Sequence, residues 1–149
     1  MSPPDPLHEF FRDVTAFGGM SFYIVVLLLT LLFQQYAVFW NLTIGFLIIL
    51  TCVVLIRIVY FKARPRPQDH HNYLQRLDAS SFPSLHTARI FFAAFYFSYV
   101  WNRLYSTIIL LTIALSVSYS RIYLQKHDWW DVLGGIALAG ITATLMMVV

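Results

Sequence analysis

The sequence is poor in charge and has a single cysteine, and each shortage narrows the class of protein. Only 11% of the 149 residues are charged, while 59% are hydrophobic, and the mean hydropathy is +0.68. This balance is typical of a bilayer protein and excludes an ordinary soluble domain. The lone Cys52 lies in a hydrophobic stretch, so no intramolecular disulfide framework stabilises the chain.

The longest gap in charge runs from Val14 to Ile56, where no Asp, Glu, Lys or Arg occurs. A helix needs about 20 apolar residues to cross the hydrocarbon core, so this stretch is long enough for two crossings with a turn near Gln34 and Gln35. The acidic residues ahead of the stretch, together with its length, argue against a cleaved secretory signal. Three further apolar segments follow.

The sequence therefore predicts an all-α fold, a polytopic membrane helix bundle with about five transmembrane helices. The predicted spans are 18–36, 39–61, 84–101, 104–120 and 131–149. We expect a single integral membrane domain over 1–149, with 1–17 as an N-terminal interfacial segment and 62–83 as a polar loop.

Aromatic, small and charged residues give further positions in this bundle. Gly135, Ala139 and Ala143 recur every four residues and predict a helix face that packs closely against a neighbour. Arg89 lies inside a predicted span, and because a lipid-exposed charge is costly, it should face the bundle interior or the site. Four tryptophans are expected in two interfacial belts, Trp40 and Trp101 at one interface and Trp129 and Trp130 at the other.

Three polar clusters lie at the ends of the apolar segments. They cover residues 57–66, 84–86 and 121–131. If successive spans alternate in direction, the second and fourth spans end at the same membrane face where the third and fifth begin. The three clusters are therefore predicted to converge on one face, together with the N-terminal segment.

These clusters contain the groups that phosphate chemistry requires. Ser84 lies where a helix is predicted to begin, and the first N–H groups of a helix form an anion site. His127 and Asp131 are four residues apart, so the carboxylate can hold one imidazole nitrogen and leave the other free to attack. Guanidinium groups bind phosphate oxygens in bidentate fashion, and three are available, from Arg57, Arg64 and Arg121.

His86 adds a second histidine, which could act as proton donor. A histidine nucleophile with a carboxylate behind it, a proton donor and several arginines indicates phosphoryl transfer through a phosphohistidine. Because the guanidinium groups would neutralise the phosphate charge, we expect no metal ion and no other cofactor.

The same residues resemble the three motifs of the type 2 phosphatidic acid phosphatase superfamily, which is related to vanadium haloperoxidases and class A bacterial acid phosphatases. Its first motif, a lysine followed seven residues later by Arg-Pro, corresponds to Arg57 and Arg64-Pro65. Its second, Pro-Ser-Gly-His, corresponds to 83–86. Its third, Ser-Arg, five residues, His, three residues and Asp, is matched completely from Ser120 to Asp131.

The resemblance implies a lipid phosphate phosphatase with its active site at one membrane face and 62–83 as the active-site loop. It implies that His127 attacks the phosphate, that Asp131 orients His127, and that His86 protonates the leaving oxygen. The implied phosphate-binding residues are Arg57, Arg64, Ser84, Leu85 through its backbone N–H, and Arg121.

Two positions depart from the family pattern. Arg57 replaces the lysine of the first motif, which keeps the charge but changes the reach and makes the contact forked. Leu85 replaces the glycine of the second motif, where a glycine would allow closer approach of the phosphate. These changes bear on the rate and on the shape of the phosphate that is accepted.

Taken singly, these residues also have plainer interpretations. Arg57 fits a span-end residue that extends to the interface, and Arg64 and Arg66 fit anchors for lipid headgroups. His70 and His71 suggest a metal pair, but adjacent histidines in a polar loop more often face solvent, so we leave them out of the site. The alternative function is a non-catalytic membrane protein of the same fold that binds anionic lipid.

The expected partners are the bilayer and a lipid phosphate, with no nucleic acid. Candidate lipids are phosphatidylglycerol phosphate, phosphatidic acid and polyprenyl diphosphate. Since short cytoplasmic loops retain Lys and Arg, the site is predicted to face the cytoplasm. The basic residues outside the site that support this orientation are Arg12, Lys62, Arg66, Arg76 and Lys126, against Arg103 on the other face.

Overall fold

The computed structural model describes residues 5–66 and 72–148. The regular structure of this described part consists of seven α-helices, which confirms the all-α prediction. They are α1 (Pro6–Ala16), α2 (Met20–Leu32), α3 (Tyr36–Val59), α4 (Tyr73–Ala79), α5 (Leu85–Trp101), α6 (Leu104–Tyr123) and α7 (Trp129–Val148). His70 and His71 lie outside the described residues.

The helix lengths correct the predicted spans in detail. Among the described helices, α3, α6 and α7 are long and apolar enough to cross a membrane. By contrast, α2 has only 13 residues and reaches the length of a span only with α1, across a 40° bend. α5 has 17 residues, the lower limit of about 17 for a crossing helix. The protein is thus a multi-pass membrane protein, and the prediction of about five spans is approximate.

The helix boundaries follow from local sequence. α1 begins at Pro6, after Asp5, whose carboxylate accepts a hydrogen bond from Leu7 N at 3.1 Å. Gly18 and Gly19 separate α1 from α2, close to the predicted start of the first span at residue 18. Gln34 adopts a left-handed conformation with φ 56° and ends α2, at the turn that the sequence predicts.

Helix α5 lies at the centre of the bundle and packs against α3, α6 and α7. Its Phe92 is fully buried and covers Gly45 of α3, where a Cβ atom would come within 2.1 Å of the Phe92 ring. On α7, Gly135, Ala139 and Ala143 are all buried, which confirms the predicted small-residue face. α5 is the helix that this face contacts most extensively.

The positions of the helix ends determine at which end of the bundle the polar residues lie. α3 ends, α5 begins, α6 ends and α7 begins at one end of the bundle, as predicted.

Arg89 of α5 is 4% exposed and faces the interior, where its Nε donates to Gly18 O at 3.1 Å. Its guanidinium also lies 5.8 Å from the Phe46 ring centre. The expectation that Arg89 avoids lipid is therefore confirmed.

Candidate active site

His127 and Asp131 form a buried pair where α6 gives way to α7, and both are at most 2% exposed. Asp128 precedes α7 and exchanges hydrogen bonds with Asp131: Asp131 N donates to Asp128 Oδ1 and Asp128 N donates to Asp131 Oδ2, each at 3.0 Å. This reciprocal cap fixes the Asp131 carboxylate. The Nδ1 atom of His127 lies 3.5 Å from Asp131 Oδ2, so Nε2 is the nitrogen left for chemistry.

A second set of contacts holds the other oxygen of Asp131. Lys62 Nζ donates to Asp131 Oδ1 at 2.9 Å, and Ser81 Oγ donates to the same oxygen at 3.3 Å. Ser84 N donates to the backbone carbonyl of Asp131 at 2.9 Å, which joins the start of α5 to the start of α7. Sequence reasoning missed Lys62 and Ser81 as site residues. The only indication of Lys62 in the sequence is its position between Arg57 and Arg64.

Two predicted phosphate ligands are held at the C-terminal end of α4. Arg57 donates from Nη1 to Leu77 O at 3.1 Å and from Nη2 to Pro83 O at 3.1 Å. Arg64 donates from Nη2 to Asp78 O. The last carbonyl groups of a helix lack intrahelical partners and carry partial negative charge, so this short helix is a suitable acceptor for two arginines. Helix α4 was not predicted from the sequence.

Arg121 lies in the last turn of α6 and reaches towards the N-terminal helix. Its Nη1 donates to Thr15 Oγ1 at 3.1 Å, and it is 8% exposed. Its backbone carbonyl accepts bonds from Lys126 N at 3.0 Å and His127 N at 3.2 Å. Arg121 therefore holds the backbone of His127 through its own carbonyl group and also brings a guanidinium group to the site. The contact with Thr15 was not predicted.

The second motif begins α5. Ser84 is fully buried and caps the helix, since its Oγ accepts a bond from Thr87 N at 3.4 Å. Leu85 follows as the first residue of α5. The half-buried His86 packs against the bend between α1 and α2. The two are so close that a Cβ atom added at Gly18 would lie 3.3 Å from the His86 ring. His86 is also within electrostatic range of Arg121 and His127.

The positive charges at the site favour the binding of an anion. Burial lowers the pKa of His127 below its ordinary value, and the charges of Arg121 and Arg64 add to this, although Asp131 opposes it. The imidazole is therefore neutral near pH 7, the form that can act as a nucleophile. Burial, followed by the charges of the neighbouring arginines, also lowers the pKa of Lys126.

These features define a membrane helix bundle with a buried His-Asp pair and converging arginines at one end. Residues 57–149 match the model of the PAP2 superfamily, and the chain belongs to this family. Two solved structures have the same fold. LpxE of Aquifex aeolicus superposes with a TM-score of 0.82 at 23% identity, over 99% of this chain and 89% of that one. A PAP2-type phosphatidylglycerolphosphate phosphatase of Bacillus subtilis gives 0.80 at 22% identity, over 97% and 77%.

A curated relative shares more of the sequence over a shorter stretch. The putative undecaprenyl-diphosphatase YbjG of Escherichia coli K12 is 40% identical over 75 residues, which are 50% of this chain. The match spans 37% of the length of YbjG.

Proposed function

We propose that the protein is an integral membrane phosphatase that removes a terminal phosphate from a lipid phosphomonoester or diphosphate. The observation that carries this proposal is the buried His127, whose Nδ1 lies 3.5 Å from Asp131 Oδ2 and on which the charges of Arg121 and Arg64 act. Two of the relatives have names that refer to phosphate removal, the putative undecaprenyl-diphosphatase YbjG and the phosphatidylglycerolphosphate phosphatase of Bacillus subtilis. Substrates of the phosphatidylglycerol phosphate, phosphatidic acid or polyprenyl diphosphate type fit this chemistry.

The proposed reaction has two steps at phosphorus. His127 Nε2 attacks the phosphorus atom, the bond from phosphorus to the leaving oxygen breaks, and His86 donates a proton to that oxygen. A water molecule then attacks the phosphohistidine, His86 accepts its proton, and inorganic phosphate leaves with His127 restored. Asp131 stabilises the positive imidazole ring during both steps. The arginines neutralise the phosphate charge, so this route needs no metal ion.

Unused hydrogen-bond donors support phosphate binding at this place. The Nε atoms of Arg57 and Arg121 are buried and find no hydrogen-bond acceptor within the described part of the chain. A buried donor without a partner costs about 1–3 kcal/mol, and more when charged. A phosphate oxygen would satisfy such donors, which supports the proposed roles of Arg57 and Arg121. Arg64 and Ser84, with the N–H of Leu85, complete the proposed phosphate site.

An apolar cavity supports a substrate with a lipid tail. The cavity has a volume of about 790 Å³ and is lined mainly by α2, α5 and α6. It begins beside Phe17, next to the bend that contacts His86, and passes Ile90, one helical turn beyond His86. It extends to Trp101 at the opposite end of α5. A tail in this cavity would leave its phosphate at the polar end of the bundle.

The test is phosphate release by the purified protein in detergent. Each of the three candidate lipids is offered separately, with EDTA present throughout and a water-soluble phosphate ester as the control substrate. We expect release from at least one lipid, with less from the soluble ester and no loss of rate in EDTA. Absence of release from every lipid, or activity that EDTA removes and a divalent ion restores, would contradict the proposal.

We propose further that the site faces the cytoplasm, because the basic residues outside it lie mainly at its end of the bundle. Cysteine substitutions test this in intact cells with a membrane-impermeant thiol reagent, in a Cys52→Ser background. Gln75, on α4, is exposed at the site end, and Leu104 is 78% exposed at the other end. We expect Leu104→Cys to be labelled and Gln75→Cys to be protected until the cells are permeabilised. The reverse pattern would place hydrolysis on the outer face.

A further inference from the structure

Lys62 makes the shortest ion pair among the described residues, although it belongs to none of the three motifs. Its Nζ lies 2.6 Å from Asp128 Oδ2 and 2.9 Å from Asp131 Oδ1. The three side chains are 23%, 38% and 0% exposed, respectively. One ammonium group therefore joins the loop after α3 to both carboxylates at the start of α7.

The two oxygens of the Asp131 carboxylate have different partners. Oδ1 accepts from Lys62 and Ser81, whereas Oδ2 accepts from Asp128 N and faces His127. Rotation of the carboxylate would exchange the two oxygens and disturb the approach to Nδ1. A lysine bound to Oδ1 opposes that rotation and fixes the oxygen that serves His127.

The charge of Lys62 matters as much as its position. Burial alone would lower the pKa of Lys62, but its hydrogen bonds to Asp128 and Asp131 outweigh this and raise it. Lys62 therefore stays charged over the whole range in which an imidazole titrates. It offsets the repulsion between two neighbouring carboxylates and reduces the negative potential that Asp131 exerts on His127.

We infer that Lys62 is a positioning residue of the active site, which holds the Asp131 carboxylate towards His127 and shares its negative charge. This inference rests on the proposed phosphatase function. The other charged or titratable groups that act on His127 are Arg121 from α6, Arg64 from the loop after α3 and His86 from α5. None of these is acidic, so Asp131 is the group through which Lys62 acts.

The test compares Lys62→Met, which keeps length without charge, with Lys62→Arg, which keeps the charge. We expect Lys62→Met to lower kcat by about 10- to 100-fold, by analogy with the loss when a residue that orients a metal-ligating side chain is removed. Without the ammonium, Asp131 would hold a proton on His127 more strongly. The acid limb of the pH profile of kcat/KM should therefore move to higher pH in Lys62→Met and return towards the wild-type position in Lys62→Arg.

The control is Arg12→Met, which removes a cation that also lies near two carboxylates, at 3.9 Å from Glu9 and Asp13, but on the exposed surface. It should leave kcat and the pH profile unchanged. The titration of the His127 imidazole, followed by NMR in detergent, gives a second measurement that needs no turnover. It should shift upwards in Lys62→Met even if no lipid is hydrolysed, so failure of the proposed function remains distinguishable. An unchanged titration, or a loss of kcat with an unmoved acid limb, would overturn the inference.

Discussion

Replacement of His127 by alanine is expected to abolish phosphate release, with a loss of about 10⁴-fold or more. In the proposed mechanism His127 forms the bond to phosphorus, and the alanine removes this nucleophile, whose side chain is 2% exposed and whose backbone N–H binds Arg121 O. Asp131→Asn should leave a small residual rate, because His127 is retained while the charge that orients and stabilises its ring is lost. The same change also weakens the cap of α7 and the bond to Lys62, so some stability should be lost with it.

Three measurements distinguish a catalytic role from a structural one. Phosphate release is followed together with the melting temperature in detergent and with binding of the lipid phosphate. His127→Ala should bind lipid through its arginines and should not turn it over. His8→Ala, which changes an exposed histidine on α1, is the matched control and should behave as wild type. Full turnover in His127→Ala would remove the phosphohistidine mechanism, and equal binding without turnover in the wild type would favour the anionic-lipid binder.

Much of the helical organisation is predictable because hydrophobic length and local turns determine it. The charge-free run predicts the turn at Gln34, and the spans near α3, α6 and α7 agree with the structure to within a few residues. The break at Gly18 lies at the predicted start of the first span, but the sequence did not predict that the segment before it forms a helix, α1. The seven-residue α4 was missed because its polar sequence lacks the periodicity of a buried helix.

The site is predictable where it is local and less so where it depends on tertiary contacts. The four-residue spacing of His127 and Asp131 predicts that they meet, and they do at 3.5 Å, although His127 precedes α7 and is not on the same helix face. Lys62 is 69 residues from Asp131, and Thr15 is 106 residues from Arg121. Such contacts depend on how the helices pack and not on spacing. Sequence reasoning therefore proposed the motif residues of the site and missed the residues that contact them across the fold.

Replacement of Gly135 by alanine is the second change for which we expect a large effect, although it adds only one methyl group. A Cβ atom there would lie 2.7 Å from Ser84 O and 3.2 Å from Ala88 N, both backbone atoms of α5. Backbone cannot rotate away as a side chain can, so α5 and α7 must separate. Overpacking of this kind costs about 1–3 kcal/mol of unfolding free energy. Because Ser84 N also binds Asp131 O, the separation should reduce turnover as well as stability.

Gly140 provides the matched control on the same helix. A Cβ atom there meets its nearest side-chain neighbour, Phe95, at 4.0 Å, which is ordinary contact. Gly140→Ala should therefore keep the melting temperature and the rate of phosphate release, or raise the former slightly, since alanine is the better helix former. Gly135→Leu should be more severe than Gly135→Ala, because the added atoms have no space between α5 and α7. Equal melting temperatures for Gly135→Ala and Gly140→Ala would mean that the close contact of α5 with α7 is not what holds the second and third motifs together.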